Sequence, residues 1–256
     1  MAKSIGLVGT LSGKSGNFVF CKGADGRTIV RPYQPQVYNP KTAAQSLQRS
    51  KMVLAGQLSS MASNALLVPM NQGRKVANRS AFVKNILRKA DVDIESNTYV
   101  STILAEDIVF GRGSVAPRYT SVVGSPEEGK VSVLYSPVNV SADMIGKVGV
   151  RTIVVYARKE GQKQVFQSIE FVDSMIESTS TDTGVSVPAP NAVPDSTYYA
   201  VFAVPFELTE DAAAQYGNGS YGSGSGFSAI LRSTPSLVKD WGDSLLVADF
   251  ALFPGE

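Results

Sequence analysis

The sequence predicts an α+β protein that is mostly β: an N-terminal β-hairpin and two helices, then a C-terminal antiparallel β-sandwich. Three observations carry that expectation. The chain is rich in turn formers, with 23 Gly and 13 Pro among 256 residues, and short Val-rich and Tyr-rich runs lie between them, the profile of a mostly β protein. Helical periodicity is confined to the first third, so no helix is expected beyond it. The charge also changes sign along the chain. Residues 1–90 hold 14 Lys and Arg against one acid, Asp25, a formal +13, whereas the remaining 166 residues hold 10 basic and 21 acidic side chains, or −11. A net charge of +2 therefore conceals an asymmetry of the kind that points to an electrostatic partner. At this length two units are expected instead of one: a basic hairpin-helix region over 1–90, a connecting segment over 91–128, and a sandwich over 129–256.

The hairpin is read from residues 17–22 (NFVFCK) and 27–33 (RTIVRPY), two β-rich runs joined by Gly23, Ala24, Asp25 and Gly26, a glycine-bounded loop. Strand alternation places Phe18 and Phe20 on one face and Val19 and Cys21 on the other. Lys14, Lys22, Arg27 and Arg31 cluster around the ribbon. The first helix is expected to start with Asn39 as its cap and Pro40 at its first position, because the Asn oxygen accepts a helix N–H and Pro lacks only a donor that would be orphaned anyway. It should run to about Asn64, burying Leu47, Leu54, Leu58, Met61 and Ala65 and presenting Lys41, Gln45, Gln48 and Arg49 on another face. After an interruption at 69–73, a second helix over 78–89 turns Phe82, Val83, Ile86 and Leu87 inward and leaves Arg79, Lys84, Arg88 and Lys89 outside.

From Gly129 onward the runs VSVLYSPV, VGVRTIVVYAR, QVFQSIEFV, GVSVPAP, TYYAVFAVPFEL and FSAILR are candidate strands whose spacing suits an antiparallel sandwich. In TYYAVFAVPFEL, Tyr198, Ala200, Phe202 and Val204 share one face and Tyr199, Val201 and Ala203 the other, so both faces are expected to be covered. Residues 217–226 (GNGSYGSGSG) read as a flexible loop, and 245–253 as a closing strand or docking tail.

Several chemistries are excluded by composition. With no His, the chain lacks the commonest general base and metal ligand and every Ser-His-Asp or Cys-His arrangement. One cysteine, Cys21, permits no intramolecular disulfide and no thiolate cluster. No metal, cofactor or enzymatic activity is expected. The start, MAKSIGLVGTLSG, is broken by Gly6 and Gly9 before a signal-peptide core can form, and no run approaches the ~20 apolar residues of a membrane span. Synthesis and retention in the cytosol, or release only by cell lysis, is the expectation, with no membrane partner. The string GTLSGKS fails as a phosphate loop: the position five before Gly13 is Val8, with Gly9 one residue short. Gly13 and Gly16 are read as turn residues. The glycine patterns at 111–116 and 217–222 lack the strand-turn-helix context of a dinucleotide site. Glu127 with Glu128, and Glu210 with Asp211, have no opposing acid across a cleft.

The basic first third remains as the candidate site. Lys14, Lys22, Arg27, Arg31, Lys41 and Arg49 offer contacts to nucleic acid or to an acidic protein surface, and Phe18, Phe20, Tyr33 and Tyr38 offer base stacking. An acidic protein partner, including the acidic part of a neighbouring copy in a homo-oligomer, satisfies the same electrostatics. Ordinary strand-edge protection by charge also accounts for basic residues on a hairpin. The stretches SGKSGNFVF, VYNPKTAAQSLQRSKM and NRSAFVKNI resemble an uncharacterised protein family of Bacteroidetes and their gut phages, over roughly residues 1–90. The resemblance implies an N-terminal hairpin-helix region, a C-terminal fibronectin-like sandwich, and a phage or mobile-element context, without site residues. A non-enzymatic, virion-associated structural or assembly protein made in a host cytoplasm is therefore expected, its basic first third contacting the genome or an acidic partner such as a capsid component, with a dedicated nucleic-acid-binding protein as the alternative.

Overall fold

The computed structural model describes residues 3–4, 12–23, 25, 27–35, 41–67, 78–95, 98–124, 129–161, 163–190, 193, 195–217 and 225–253. They divide into two compact units, Met1–Thr42 and Ala43–Glu256.

The first unit is a four-stranded antiparallel sheet of β1 (Lys3–Ser4), β2 (Gly13–Ser15), β3 (Phe18–Lys22) and β4 (Thr28–Pro32), in the order β1-β4-β3-β2. The expected hairpin is its β3–β4 centre, with Phe18 opposite Pro32 and Lys22 opposite Thr28. Gly16 turns β2 into β3 at a φ of 56°, a conformation that costs glycine nothing. Gly9 of the string GTLSGKS lies outside the described residues.

The second unit opens with α1 (Ala43–Met61), a 3₁₀ turn at Ala65–Leu67 and α2 (Asn78–Lys89). A hairpin follows, β5 (Asp91–Glu95) and β6 (Thr98–Thr102), then β7 (Tyr119–Val123), β8 (Lys130–Pro137), β9 (Val148–Glu160), β10 (Lys163–Met175), β11 (Thr183–Pro188) and β12 (Thr197–Leu208). The chain closes through α3 (Glu210–Gly217), α4 (Ser225–Ser233), β13 (Val238–Trp241) and β14 (Leu245–Leu252). A five-stranded sheet has the order β10-β9-β12-β13, with β14 also paired to β12, and a three-stranded sheet has the order β11-β8-β7. Every pairing is antiparallel.

The five-stranded sheet is buried on both faces. Val150, Val154, Tyr156, Tyr199, Val201 and Ala203 pack against Tyr119, Val131, Val133, Tyr135, Val185 and Val187 of the smaller sheet. This is the expected sandwich, cross-tied by Tyr135 Oη 2.7 Å from Thr152 Oγ1 and by Tyr156 Oη donating to the Pro188 carbonyl at 3.2 Å. On the opposite face Ile153, Val155, Ala200, Phe202, Val204 and Phe206 share a core with Leu54 and Leu58 of α1, Phe82 and Ile86 of α2, and Phe227 and Leu231 of α4. The alternation expected along β12 is observed on both faces.

This second face changes the expected organisation. The anticipated boundary at 91–128 lies inside the second unit, because α1 and α2 complete the sheet's other core instead of joining the hairpin. The segment 91–128 is not a plain connector: it contributes β5, β6 and β7 and a strap over 111–118. There Val115 N–H donates to the Trp241 carbonyl at 3.2 Å, and Ser244 N–H to Gly111 at 3.0 Å. A Cβ on Gly113 would fall 1.8 Å from the Trp241 carbonyl oxygen, so this glycine serves close backbone approach and not a nucleotide.

Helix is not confined to the first third either. The run FSAILR, expected as a strand, lies in α4, where Phe227 and Leu231 at i and i+4 are both buried, a helical spacing. Glu210 and Asp211 occupy the first turn of α3, which suits the positive end of the helix dipole. The expected start of the first helix also moves. Asn39 and Pro40 lie outside the described residues, and the helix begins at Ala43, directly after Thr42. Thr42-Ala-Ala-Gln45 has the S/T-x-x-E/Q capping pattern. Leu47 is 39% exposed, because the buried positions of α1 are all at or beyond Leu54. The loop expected over 217–226 falls mostly outside the described residues, as do Glu127 and Glu128.

Candidate functional site

Register decides which of the basic and aromatic side chains share a face. Cross-strand partners lie on the same side of a sheet, so Lys14, Val19 and Arg31, aligned by pairing of β2 with β3 and β3 with β4, form one row. Tyr33 follows Arg31 by two residues on the same side, and Lys14 Nζ lies 3.5 Å from its ring centroid, a cation–π contact. One face of that ring is thus covered by the chain's own lysine. The opposite side carries Phe18, Phe20 and Lys22 at alternating positions of β3. Phe18 is 52% exposed there, and Phe20 is half-buried.

Arg27 is held in the loop by Asp25, with Nε 3.8 Å from Oδ2 and its backbone N–H donating to Oδ1 at 3.3 Å. Lys41 is exposed at the end of the first unit. Arg49 belongs to the second unit, exposed on α1, where with Lys163 of β10 it lines a groove of about 440 Å³ beside β6. Ser50 of that groove donates to the Tyr99 carbonyl at 2.9 Å and lies 2.6 Å from Ser101 Oγ. Within the first unit the expected cations therefore do not form one surface: they divide between two sheet faces, a loop and the unit's terminus, and Arg49 belongs to the second unit. Tyr38 lies outside the described residues. Among the described residues of the first unit, the only buried side chain is Thr28.

Sequence reasoning missed a buried ion pair in the second unit. Arg151 of β9 and Asp173 of β10 are cross-strand partners, and both side chains are fully buried. The guanidinium donates from Nε to Oδ1 at 2.6 Å, from Nη2 to Oδ2 at 2.9 Å, and from Nη1 to the Ala65 carbonyl at 3.3 Å. The rings of Phe171 and Trp241 lie 4.8 Å from its central carbon, and Asp173 N–H donates to Ser228 Oγ of α4 at 2.7 Å. The pair thus ties the helical layer to the sheet. Its signal in the sequence is an Arg inside VGVRTIVVYAR, where every neighbour is apolar, small or β-branched.

Other ionisable groups report burial. Desolvation pushes the Tyr119, Tyr135 and Tyr156 phenols far above their ordinary range, and burial also raises the Glu170 carboxyl. These shifts keep the phenols protonated and do not produce an acid-base pair. Among the described residues, no three His, Cys, Asp or Glu side chains are grouped to hold a metal ion, and no helix is long and apolar enough to cross a membrane. Compared with protein-family models, curated proteins and solved structures, the chain matches none.

Proposed function

We propose that this chain is a non-enzymatic structural or assembly protein of a phage-type particle, in which the second unit is a rigid body and the first unit is the docking element. The observation that carries this reading is the open sheet of the first unit: cations stand on both faces and Thr28 alone is buried among its described residues. Such a small sheet needs a covering surface for its stability. With six basic residues against one acid over 1–42, the surface it suits is anionic, either an acidic protein of the particle or the packaged genome. The resemblance of residues 1–90 to proteins of Bacteroidetes and their phages supports the context. The strand order β11-β8-β7 over β10-β9-β12-β14 supports a fibronectin-like reading of the sandwich. Synthesis in the host cytoplasm and incorporation into the virion follow from the same proposal.

The test is retention by purified particles through a density gradient. Wild-type chain should stay with them, and the Lys14→Glu/Lys22→Glu/Arg31→Glu variant should be lost while keeping its circular dichroism spectrum. Absence of the wild-type chain from particles overturns the proposal. A second reading, dedicated nucleic-acid binding, draws on the exposed Phe18 ring sharing a face with Lys22, since stacking and phosphate contact can then act together. It requires duplex or single-strand affinity that persists at physiological salt. Each neutralised duplex phosphate should add about −0.9 to the slope of log affinity on log salt. A flat or undetectable titration at about 50 mM salt removes this second reading.

A further inference from the structure

We infer that the second unit carries a cavity for an organic ammonium or guanidinium group attached to an apolar chain. The cavity, about 590 Å³, lies within the range of roughly 300–1,000 Å³ typical of small-molecule sites. It opens where the turn after β6 meets the end of β9, the start of β12 and β14. Ile103, Leu104 and the rings of Tyr198 and Phe250 form its apolar walls. Two exposed carboxylates, Asp93 and Asp249, and one ammonium, Lys159, also line it.

The chemistry of the ligand follows from these groups. Lys159 Nζ lies 4.9 Å from the Tyr198 ring centroid, so this ring already seats an ammonium, held by attraction of a cation to the π face. Asp249 accepts the Phe250 N–H through Oδ1 at 2.7 Å, which holds the carboxylate against its own strand at the cavity's edge. An ionised carboxylate only accepts hydrogen bonds, so a ligand meeting Asp93 and Asp249 must donate them. Two negative charges against one positive leave the lining anionic, which penalises an acid and gives a neutral ligand no compensation. An ammonium on an apolar stem satisfies both parts: its charge faces the carboxylates or replaces Lys159 over Tyr198, and its stem covers Leu104 and Phe250. A free alkylamine and the lysine side chain of a partner share this chemistry.

The inference is tested by nuclear magnetic resonance titration of the full chain with n-pentylamine, with n-pentanol as the neutral isostere and N-acetyl-lysine methylamide as the side-chain mimic. Pentylamine should shift the amides of Ile103, Tyr198 and Phe250, with pentanol weaker. Asp93→Asn with Asp249→Asn should weaken pentylamine about five- to tenfold, the scale of two exposed charge contacts. Lys159→Met should strengthen it, because the resident ammonium no longer competes for the Tyr198 face. Resonances remote from the cavity report that each variant is folded. Tighter binding of the lysine mimic than of pentylamine assigns the site to a partner's side chain, and the reverse order assigns it to a free amine. Equal binding of pentanol and pentylamine, or weaker pentylamine binding by Lys159→Met, overturns the inference.

Discussion

Arg151 and Asp173 join the edge strand β10 to β9 on the helical face of the five-stranded sheet, buried where an isolated charge would cost several kcal/mol of lost hydration even after relaxation. Here the charges persist because their hydrogen bonds are made within the protein: two between the side chains and a third from the guanidinium to the Ala65 carbonyl. The aromatic rings of Phe171 and Trp241 replace water around the guanidinium. Such a pair contributes more to specifying one arrangement than to net stability, so its two halves should behave non-additively. Asp173→Leu is expected to lower the unfolding free energy by about 3–5 kcal/mol, since Arg151 is left buried and unpaired. The double variant Arg151→Met/Asp173→Leu should recover most of that loss. Urea denaturation of both variants, with Arg151→Met alone alongside, measures the coupling, and equal losses in Asp173→Leu and the double variant contradict it.

Among the elements, α4 shows how a short apolar run misleads. FSAILR fits either a strand or a helix, because six residues are too few for periodicity to separate them. The helix is selected by Phe227 and Leu231 reaching the same core and by Ser228 meeting the backbone of β10. The strap over 111–118 is likewise invisible to strand and helix patterns, yet it fixes β13 through Val115 and Gly113. Two glycines offer a paired test. Gly113→Ala should destabilise the protein by about 1–3 kcal/mol, the usual cost of overpacking a tight contact, because the Trp241 carbonyl must move. Gly56→Ala, within α1 and with nothing within 4 Å of its added methyl, should instead raise stability by about 0.5–1 kcal/mol. Thermal midpoints should move in opposite directions, and a shared direction would show that the contact at Gly113 relaxes.

On the scale of the molecule, the change of charge near Ala90 does not coincide with the division into units. The first unit carries six basic residues and one acid; the second carries 18 basic and 21 acidic residues, because the basic helices belong with the sandwich. Charge marks the outer surface of a helix, whereas burial of its opposite stripe determines which body it joins. Removing α1 and α2 would take the burial of Leu54, Leu58, Phe82 and Ile86 out of the core they share with the sheet. At about 2 kcal/mol for each of four large side chains, the loss is on the order of 8 kcal/mol, comparable with the whole stability of a domain, about 5–15 kcal/mol. A chain beginning at residue 43 should therefore unfold in one cooperative transition, and a chain beginning at 91 should lack one. Calorimetry of the two fragments decides this, and a cooperative transition of the shorter one would restore the boundary suggested by charge.

The hairpin faces of β3, the span of α2, the two-faced burial of β12 and the strands β8–β12 were legible because alternation, helical spacing and turn residues act within a few positions of the chain. Of the candidate site, residue types and charge were legible, but their grouping was not: register separates Lys14 and Arg31 from Lys22 and Phe18, and Arg49 lines one groove with Lys163, more than a hundred residues away in the chain. The amino-acid order by itself determined the α+β class, the pleat of each long strand and the absence of histidine chemistry, since these depend on composition and local stereochemistry. Only the tertiary structure decided that the basic helices would cover the sandwich and that Arg151 would find Asp173. Those outcomes depend on which apolar faces exclude water together and on hydrogen bonds between residues such as Ser228 and Asp173, 55 positions apart, a pairing no local pattern encodes.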